Sequence, residues 1–291
     1  MTQLSQAVIL ITGASGGFGQ ELTRQLLKAN SRLILTDIDE TVLRQRVATI
    51  QQEVSDRATC SDDTGTEQLS PTTGEVLACL GADLATKEGC ETLYHQVKAL
   101  DTPVDILINN AGIGYFGRVD EVPATKWELL MQVNLLSPMR LSSLFAADMI
   151  TRRQGHIVNI SSLAGWVAWR GMSYYSTSKF GLRGFSEGLF QEVKDYNVQV
   201  TAVYPFFSRT PILNSERYGT FAENSQEIPD SWITDPADIM RATIQGILRN
   251  QLHVFPDRTA KIVHLLKRYF PQLLDWIDIV LTRRSNSGYS K

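Results

Sequence analysis

The stretch YYSTSK, from Tyr174 to Lys179, places a tyrosine four residues ahead of a lysine in a segment without histidine, cysteine or acid. Residues four apart on a helix share a face, so the Lys179 ammonium can lie near the Tyr175 phenol. A nearby positive charge favours the phenolate, which lowers the tyrosine pKa below its ordinary value of about 10. Such a phenol can take a proton from an alcohol or return one to a carbonyl.

The same spacing occurs in YHQVK, from Tyr94 to Lys98, so spacing alone does not identify an acid–base pair. The two pairs differ in what precedes them. The apolar run GHIVNISS ends in serine, and Ser162 lies thirteen positions before Tyr175. No serine-ended strand leads into Tyr94. We therefore interpret Tyr94 and Lys98 as a solvated surface pair, and Tyr175 and Lys179 as the candidate pair.

A glycine-rich turn joins the first apolar run to a helical pattern in ITGASGGFGQELTRQLL. Gly13, Gly17 and Gly19 allow a tight turn, close approach of the backbone to a phosphate, and close packing of helix on strand. A pyrophosphate there would meet free backbone N–H groups and the positive end of the helix dipole. No Lys-Ser or Lys-Thr follows the glycines, so the turn predicts a dinucleotide site rather than a P-loop NTPase.

Asp37 ends the second strand candidate, about 20 residues beyond the glycines, where an acid can accept hydrogen bonds from the adenosine ribose. Its alternative role is to cap the following helix. A carboxylate there would repel a 2′-phosphate, and no arginine or lysine lies within the glycine turn or directly after Asp37. The sequence therefore predicts NAD(H) in preference to NADP(H).

Short apolar runs alternate with helical patterns, which is typical of parallel βαβ units. The strand candidates span residues 7–13, 32–37, 76–83, 105–112, 155–162, 199–205 and 252–257. The helical candidates span roughly 17–30, 40–54, 86–99, 124–151, 174–196 and 235–250. Most strand candidates are apolar throughout, as expected when helices cover both faces of a sheet. The fold class predicted is α/β, a doubly wound parallel sheet of about seven strands.

Two stretches interrupt this alternation. Residues 55–75 are polar and rich in turn formers, and predict a surface loop. Residues 206–234 predict a substrate loop over the carboxyl edge of the sheet, with a passive surface excursion as the alternative. We expect one catalytic domain over residues 1–257 and a helical extension over residues 258–291.

Five motifs occur in order: TGxxxGxG at 12–19, ILINNAG at 106–112, Asn134 in MQVNLLSP, the strand ending in Ser162, and the Tyr175/Lys179 pair. Over roughly residues 7–257 the chain resembles the short-chain dehydrogenase/reductase family, whose fold is Rossmann-like. The resemblance implies a catalytic tetrad of Asn134, Ser162, Tyr175 and Lys179. In it, Ser162 holds the substrate oxygen, Lys179 also binds the nicotinamide ribose, and Asn134 anchors a water that relays protons.

The resemblance also implies a set of cofactor contacts. They are Gly13, Ser15, Gly17, Phe18, Gly19, Asp37, Asp83, Leu84, Asn110, Ala111, Gly112, Tyr175, Lys179 and Thr210. Asp83 has a plainer alternative as a helix cap, and Asn110 to Gly112 as the end of a strand. The chain departs from the family pattern after Pro205, where Phe206 replaces the usual glycine, and this leaves the placement of Thr210 open.

Aromatic residues concentrate in the loops expected above the nicotinamide. They are Tyr115, Phe116, Trp166, Trp169, Phe206, Phe207 and Trp232. They favour an apolar pocket for a steroid, a retinoid or a long-chain compound, or else they pack in the core or against another subunit. The alternatives to an NAD(H)-dependent alcohol–ketone oxidoreductase are an NADP(H)-dependent carbonyl or 3-oxoacyl reductase, and a non-catalytic redox sensor. A nucleotide-sugar epimerase is disfavoured because the region after residue 205 is short.

The composition of the chain limits the kinds of binding partner that are expected. The net charge is −3 and the sequence pI is about 5.9, so no nucleic-acid partner is expected. Three cysteines without metal-ligand spacing predict reduced thiols, no metal, and a cytoplasmic location. We also expect a homo-oligomer. Residues 259–284 form an amphipathic pattern that can pack against another subunit, cover the pocket or contact a membrane; Asp275 and Asp278 disfavour an anionic membrane.

Overall fold

The fold is seen in a computed structural model that describes residues 1–59, 73–220 and 229–272. Its strands are β1 Val8–Thr12, β2 Arg32–Asp37, β3 Glu75–Gly81, β4 Ile106–Asn109, β5 Gly155–Ile160, β6 Val198–Val203, β7 Phe207–Ser208, β8 Ile233–Thr234 and β9 His253–Val254. Seven form one parallel sheet in the order β3-β2-β1-β4-β5-β6-β9, while β7 and β8 pair separately. The predicted doubly wound α/β sheet is confirmed, with all seven predicted strands in it.

The helices alternate with these strands. They are α1 Gly17–Lys28, α2 Glu40–Thr59, α3 Lys87–Lys98, α4 Ala124–Met131, α5 Ser137–Arg152, α6 Ser173–Val193, α7 Pro236–Leu248 and α8 Arg258–Tyr269. Side-chain caps fix the first turns of three helices. Thr86 caps α3, Asp235 caps α7 and Asp257 caps α8, each by accepting a hydrogen bond from a backbone N–H.

Apolar residues cover both faces of the central strand β1, which explains its unbroken hydrophobic run. Ile9 and Ile11 pack on one side with Leu22 of α1, whereas Leu10 packs on the other side with Phe145 of α5. All five side chains are buried. The sheet is thus the middle layer between two helical layers, and its loops carry the polar residues that remain.

The strand order reverses at β1, because the chain first moves outward through β2 and β3 and then returns to β4 on the opposite side. Ile11 of β1 pairs with Ile108 of β4, which brings the glycine turn after β1 beside the NNAG segment after β4. In open parallel sheets a ligand crevice forms at this reversal, outside the carboxyl ends of the strands.

Several predicted boundaries differ from the structure. The loop predicted over 55–75 begins too early, because α2 continues to Thr59 before the residues outside the described ranges. The helix predicted over 124–151 is two helices separated by a π-helical turn, Gln132–Leu136. The 206–234 loop contains β7, β8 and two short turns of 3-10 helix, Pro211–Asn214 and Asp230–Trp232, and its residues 221–228 lie outside the described part.

Candidate active site

At two positions of the glycine turn after β1, only a glycine fits. Gly13 has φ of +64°, and a Cβ there would lie 2.7 Å from the Ala111 Cα. A Cβ on Gly19 would lie 2.2 Å from the Gly13 carbonyl oxygen. The turn is therefore a narrow backbone cradle at the start of α1, where the helix directs free N–H groups outward, and its shape fits a pyrophosphate.

Thr12 and Asn110 hold this cradle in shape. The Thr12 hydroxyl accepts hydrogen bonds from the backbone N–H groups of Asn110 and Ala111, both at 3.0 Å. The Asn110 side-chain amide donates to the carbonyls of Thr12 and Gly13 at 2.9 and 3.0 Å. Sequence reasoning did not assign Thr12 a role, although it is the threonine of the TGxxxGxG motif. Asn110 thus braces the turn as well as lining the cleft.

Replacing Gly19 with alanine is expected to destabilise the protein by about 3 kcal/mol and to weaken NAD(H) binding, since backbone atoms block the added methyl. Gly188 of α6 is the matched control, because nothing lies within 4 Å of a Cβ added there. Gly188→Ala should stabilise by about 0.5–1 kcal/mol through helix propensity. Denaturant unfolding and fluorescence titration with NADH measure both effects. Equal stability of the two variants would contradict this account of the turn.

Asp37 braces the other side of the turn. Its carboxylate accepts hydrogen bonds from the backbone N–H groups of Ser15 and Ile38, both at 2.8 Å. The alternative prediction, that Asp37 caps the next helix, is wrong, because Asp39 accepts the Val42 N–H at the start of α2. Asp37 lines the cleft together with the ends of β2 and β3, and none of the described cleft residues from these two ends is basic.

Asp83 and Leu84 line the same end of the cleft. The Asp83 carboxylate accepts the Ala85 N–H at 3.0 Å and forms a local turn. The cap of α3 is Thr86, whose hydroxyl accepts the Gly89 N–H at 3.0 Å, so Asp83 is not the side-chain cap considered as its alternative role. The Asp83 carboxylate is left at the cleft surface.

Thr210 lies against the glycine turn despite the unusual Phe206 before it. A Cβ on Gly17 would lie 2.8 Å from the Thr210 Cγ2 atom. The Phe206 backbone N–H donates to the buried Asp257 carboxylate at 2.9 Å, and its ring packs on Trp169 and Phe207. Phe206 therefore forms part of the cleft wall and leaves Thr210 at the turn. The contact between Phe206 and Asp257 could not be predicted from the sequence, because the two residues lie 51 positions apart in the chain.

Asn134 lies in the π-helical turn between α4 and α5 and is fully buried. Its side-chain oxygen accepts the Ile113 N–H at 2.9 Å, and its amide donates to the Ile113 carbonyl at 2.8 Å. The π-helical turn is a local widening that often marks a functional position. It was not predicted, because the apolar pattern of 124–151 continues through it.

Tyr175 and Lys179 lie one turn apart on α6, and both are buried. The Lys179 Nζ donates to the Ile160 carbonyl at 3.0 Å and lies 5.7 Å from the centre of the Tyr175 ring. The Ser162 hydroxyl accepts the Ala164 N–H at 3.1 Å and donates to the Pro205 carbonyl at 3.5 Å, and it lies near enough to Tyr175 to act on the phenol pKa. The structure thus brings Ser162 at the end of β5 together with the pair on α6.

Gly112 connects this group to Asn134. A Cβ on Gly112 would lie 3.4 Å from the Asn134 Oδ1 and 3.7 Å from the Lys179 Nζ, so both polar atoms lie close to this one glycine. All four predicted tetrad residues therefore occupy one region at the carboxyl edge of β4 and β5.

Burial shifts the pKa values of both ionisable groups of the pair, Tyr175 and Lys179. It raises the pKa of Tyr175 to about 12, against the opposing effect of the Ser162 hydrogen bond, and lowers the pKa of Lys179 to about 8. The expectation of a lowered phenol pKa is therefore wrong for the protein alone. The reason is that desolvation penalises the charged form of each buried group.

A buried lysine with a lowered pKa costs stability. The change from 10.5 to about 8 corresponds to roughly 3 kcal/mol, fully present below pH 8 and lost as the pH rises to about 10.5. Lys179→Met is thus expected to raise the free energy of unfolding at pH 7 and to abolish turnover. In urea unfolding curves, the difference in free energy of unfolding between Lys179→Met and the wild type should shrink between pH 8 and 10.5. A variant less stable than wild type at pH 7 would contradict the prediction.

The Tyr94/Lys98 pair has a structural role. The Tyr94 hydroxyl donates to Asp148 at 3.0 Å, and the Lys98 Nζ lies 3.1 Å from the same carboxylate. The Tyr94 ring packs edge-on against Phe145. Lys98 is exposed as predicted, whereas Tyr94 is half-buried between α3 and α5, so the pair links two helices remote from the cleft.

The cleft has a volume of about 1100 Å³ and runs from the glycine turn past Ser162, Tyr175 and Lys179. Its lining combines large apolar side chains with the two arginines Arg170 and Arg217. The large apolar residues include Phe116, Trp169, Met172, Phe206, Phe207 and Ile212. Of the seven predicted aromatics, four line the cleft. Tyr115, Trp166 and Trp232 do not, and Trp166 packs instead against Tyr204, His253 and His264.

Other predicted features can be located in the described residues. Cys79 and Cys90 are buried and unpaired, while Cys60 lies outside the described ranges. Within 1–59, 73–220 and 229–272, no cluster of three or more His, Cys, Asp or Glu could hold a metal ion. Among the same residues, no helix has the length and hydropathy needed to cross a bilayer.

The reversal crevice and the glycine cradle define a dinucleotide-binding protein of the Rossmann class. A family model described as short chain dehydrogenase matches residues 7–68 and 62–219. The chain is 29% identical over 248 residues to the 3-dehydrosphinganine reductase of Danio rerio, covering 85% of this chain and 70% of that protein. It is 30% identical over 269 residues to the epidermal retinol dehydrogenase 2 of Mus musculus, covering 91% and 78%.

Solved structures share the fold. A short-chain dehydrogenase/reductase from Burkholderia phymatum in complex with NAD superposes with a TM-score of 0.75 at 22% identity, covering 94% of this chain and 97% of that one. A short-chain dehydrogenase from Sphingobium yanoikuyae in complex with NADPH gives a TM-score of 0.70 at 24% identity, covering 98% and 96%. The chain belongs to the short-chain dehydrogenase family, and it is an oxidoreductase that acts on alcohol or carbonyl groups.

Proposed function

We propose that the protein is an NAD(H)-dependent oxidoreductase that interconverts an alcohol and a ketone or aldehyde on a lipophilic substrate. The observation that carries the proposal is the position of Tyr175. Its phenol lies near the Ser162 hydroxyl, which lowers the phenol pKa, and one helical turn from Lys179, and all three residues line the cleft that contains the glycine turn. A carbonyl held there has a proton donor beside it and an apolar wall for the rest of the molecule.

The reaction requires a proton at the substrate oxygen. Ser162 donates a hydrogen bond to that oxygen, and Tyr175 gives it a proton in reduction or takes one in oxidation. The Lys179 ammonium, fixed by the Ile160 carbonyl, stabilises the phenolate that remains after the proton has left. NAD(H), when bound, supplies the hydride donor or acceptor. The Asn134 side chain already binds the Ile113 N–H and carbonyl, which leaves one lone pair on its Oδ1 atom. This lone pair can accept a hydrogen bond from a water molecule that returns the proton to Tyr175.

The cofactor would be held by the predicted contacts in three groups. The glycine turn would hold the pyrophosphate, Asp37 would bind the adenosine ribose, and Thr210 and Lys179 would contact the nicotinamide side. The preference for NAD(H) follows from the Asp37 carboxylate at the cleft surface, because it would lie against the additional phosphate of NADP(H). Asp83 adds a second carboxylate at the same end.

The substrate class follows from the apolar wall. Phe116, Trp169, Met172, Phe206, Phe207 and Ile212 line the same cleft as Tyr175, and apolar side chains of this kind take an acyl chain, a polyene or a steroid nucleus better than a small polar alcohol. Relatives of this chain include enzymes named for a sphingoid ketone and for retinol, both lipophilic molecules. These names support the class of substrate and leave the individual compound to experiment.

A spectrophotometric screen for NADH oxidation tests the proposal. The panel contains long-chain 3-ketones, retinal and steroid ketones, with acetone and acetaldehyde as small controls, and each is repeated with NADPH. We expect turnover with at least one lipophilic ketone or aldehyde, with a kcat/KM about 10²-fold above the small controls. Tight NADH binding without turnover across the panel would favour the redox sensor instead.

A further inference from the structure

Helix α8 presents its apolar side chains to the surface. Ile262, Leu265 and Tyr269 are 46%, 51% and 64% exposed, and they lie on one face of the helix. The residues that α8 buries are Ala260 and His264. The sequence favoured a packed or pocket-covering role for this apolar face, whereas its side chains remain 46–64% exposed in the structure.

The same helix is strongly basic. Four cations, Arg258, Lys261, Lys267 and Arg268, lie between residues 258 and 272, and this stretch contains no acid, although the whole chain has a net charge of −3. No ion pair joins Arg258, Lys261 or Arg268 to a carboxylate of the described residues. Exposed apolar residues flanked by cations are the pattern of a helix that lies in a lipid–water interface.

The start of α8 is joined to the cleft wall. Asp257 caps α8 through the Ala260 N–H at 2.6 Å and also accepts the N–H of Phe206, which lines the cleft. Trp232, 47% exposed, lies 6.0 Å from the Phe206 ring between centroids. A half-exposed tryptophan is a common residue at membrane interfaces. The start of α8 is thus connected to the cleft residue Phe206 through the Asp257 carboxylate.

A second contact fixes α8 near the catalytic segment. The His264 ring stacks on Phe255 at 4.1 Å and meets the Trp166 ring edge-on at 4.2 Å. Trp166 follows Ser162 by four residues. Because α8 is held at both its start and its middle, its outer face keeps a fixed direction relative to the cleft.

We propose that α8 binds an anionic lipid surface, with Ile262, Leu265 and Tyr269 in the acyl boundary and the neighbouring cations on the phosphate headgroups. This contact would hold the apolar part of the cleft next to the membrane, from which a lipophilic substrate can enter. A second copy of the chain fits the face less well, because a two-fold contact would oppose one basic helix with another. Asp275 and Asp278, which disfavour the contact, lie outside the described residues.

This inference deepens the proposed function and, for the route of the substrate, rests on it. Flotation of the full chain with vesicles tests it, comparing pure phosphatidylcholine with an equimolar mixture of phosphatidylcholine and phosphatidylserine. We expect binding to the anionic vesicles only, weakened by added salt. The double variant Ile262→Glu/Leu265→Glu should bind at least about tenfold more weakly. Lys261→Glu/Arg268→Glu should do the same.

Tyr196→Glu is the matched control. Tyr196 is 42% exposed just before β6, at the amino edge of the sheet, and its replacement should leave vesicle binding unchanged. Thermal unfolding checks that each variant is folded. Absence of wild-type binding to the anionic vesicles, or equal binding by Ile262→Glu/Leu265→Glu, would overturn the inference. So would a wild-type dimer that becomes monomeric in that variant while neither form binds vesicles.

Turnover of a water-soluble ketone without vesicles separates the two proposals. Turnover without vesicle binding overturns the lipid contact and leaves the proposed function standing. Vesicle binding without turnover of any carbonyl compound overturns the proposed function and supports the surface assigned to α8.

Discussion

Replacing Tyr175 with phenylalanine is expected to lower kcat by about 10²–10⁴-fold, the usual contribution of a general acid or base. The affinity for NADH should change little, because the ring stays in place and only the hydroxyl, which lies near Ser162, is removed. Stopped-flow or steady-state measurement of NADH oxidation, with fluorescence titration of NADH binding, separates the two quantities. A loss of this size in kcat alone assigns the proton transfer to the phenol.

Tyr94→Phe is the matched control for that experiment. It removes a tyrosine hydroxyl with the same spacing to a lysine, but one that donates to Asp148 between α3 and α5. Its kcat should equal that of the wild type, and its stability should fall by about 1 kcal/mol through the lost hydrogen bond. The opposite pattern, with Tyr94→Phe inactive and Tyr175→Phe active, would refute the proposed site.

Replacing Asp37 with asparagine is expected to raise kcat/KM with NADPH by about 10²-fold and to change it little with NADH. Two like charges about 4 Å apart cost on the order of 4 kcal/mol at an effective dielectric of about 20, and solvent screening at the cleft surface reduces that cost. Asparagine removes the charge while its side-chain oxygen can still accept the Ser15 N–H that Asp37 receives at 2.8 Å. Steady-state kinetics with both cofactors and one ketone measure the change.

Asp39→Asn controls for the loss of a nearby charge. Asp39 caps α2 through the Val42 N–H and is not among the residues that line the cleft. This variant should keep the wild-type preference between the two cofactors. Equal kcat/KM with NADH and NADPH in the wild-type protein would contradict the assignment of Asp37 before any variant is made.

The sheet and the position of the site could be predicted because each depends on local patterns. Apolar runs give buried parallel strands, and the glycines after β1 and the serines after β5 mark strand ends that must meet at one edge. Gly13, for example, needs a positive φ that few other residues adopt, and its type alone indicates a tight turn.

Contacts between distant segments could not be predicted in this way. The bond from Phe206 to Asp257 depends on where α8 begins relative to the cleft, which no local pattern encodes. The face that α8 buries was also unpredictable, because His264 and Ala260 pack inward while Ile262 and Leu265 stay exposed. Hydrophobicity gives the period of a helix, but the surrounding surface decides which side is covered.

The pKa of Tyr175 shows a third kind of limit. The spacing to Lys179 gave the sign of one electrostatic contribution, whereas the extent of burial, which dominates in the protein alone, is a property of the whole fold. Lys179 is affected by the same burial, and its lowered pKa could not be read from the sequence.

The most direct test of the central claim is the ultraviolet difference spectrum of tyrosinate formation, recorded as wild type minus Tyr175→Phe during a pH titration. Without cofactor, this phenol is expected to ionise at about pH 12. With saturating NAD⁺, the added positive charge should bring its pKa below the ordinary value of about 10. A phenol that still ionises near pH 12 with NAD⁺ bound would contradict the assignment of Tyr175 as the group that moves the proton.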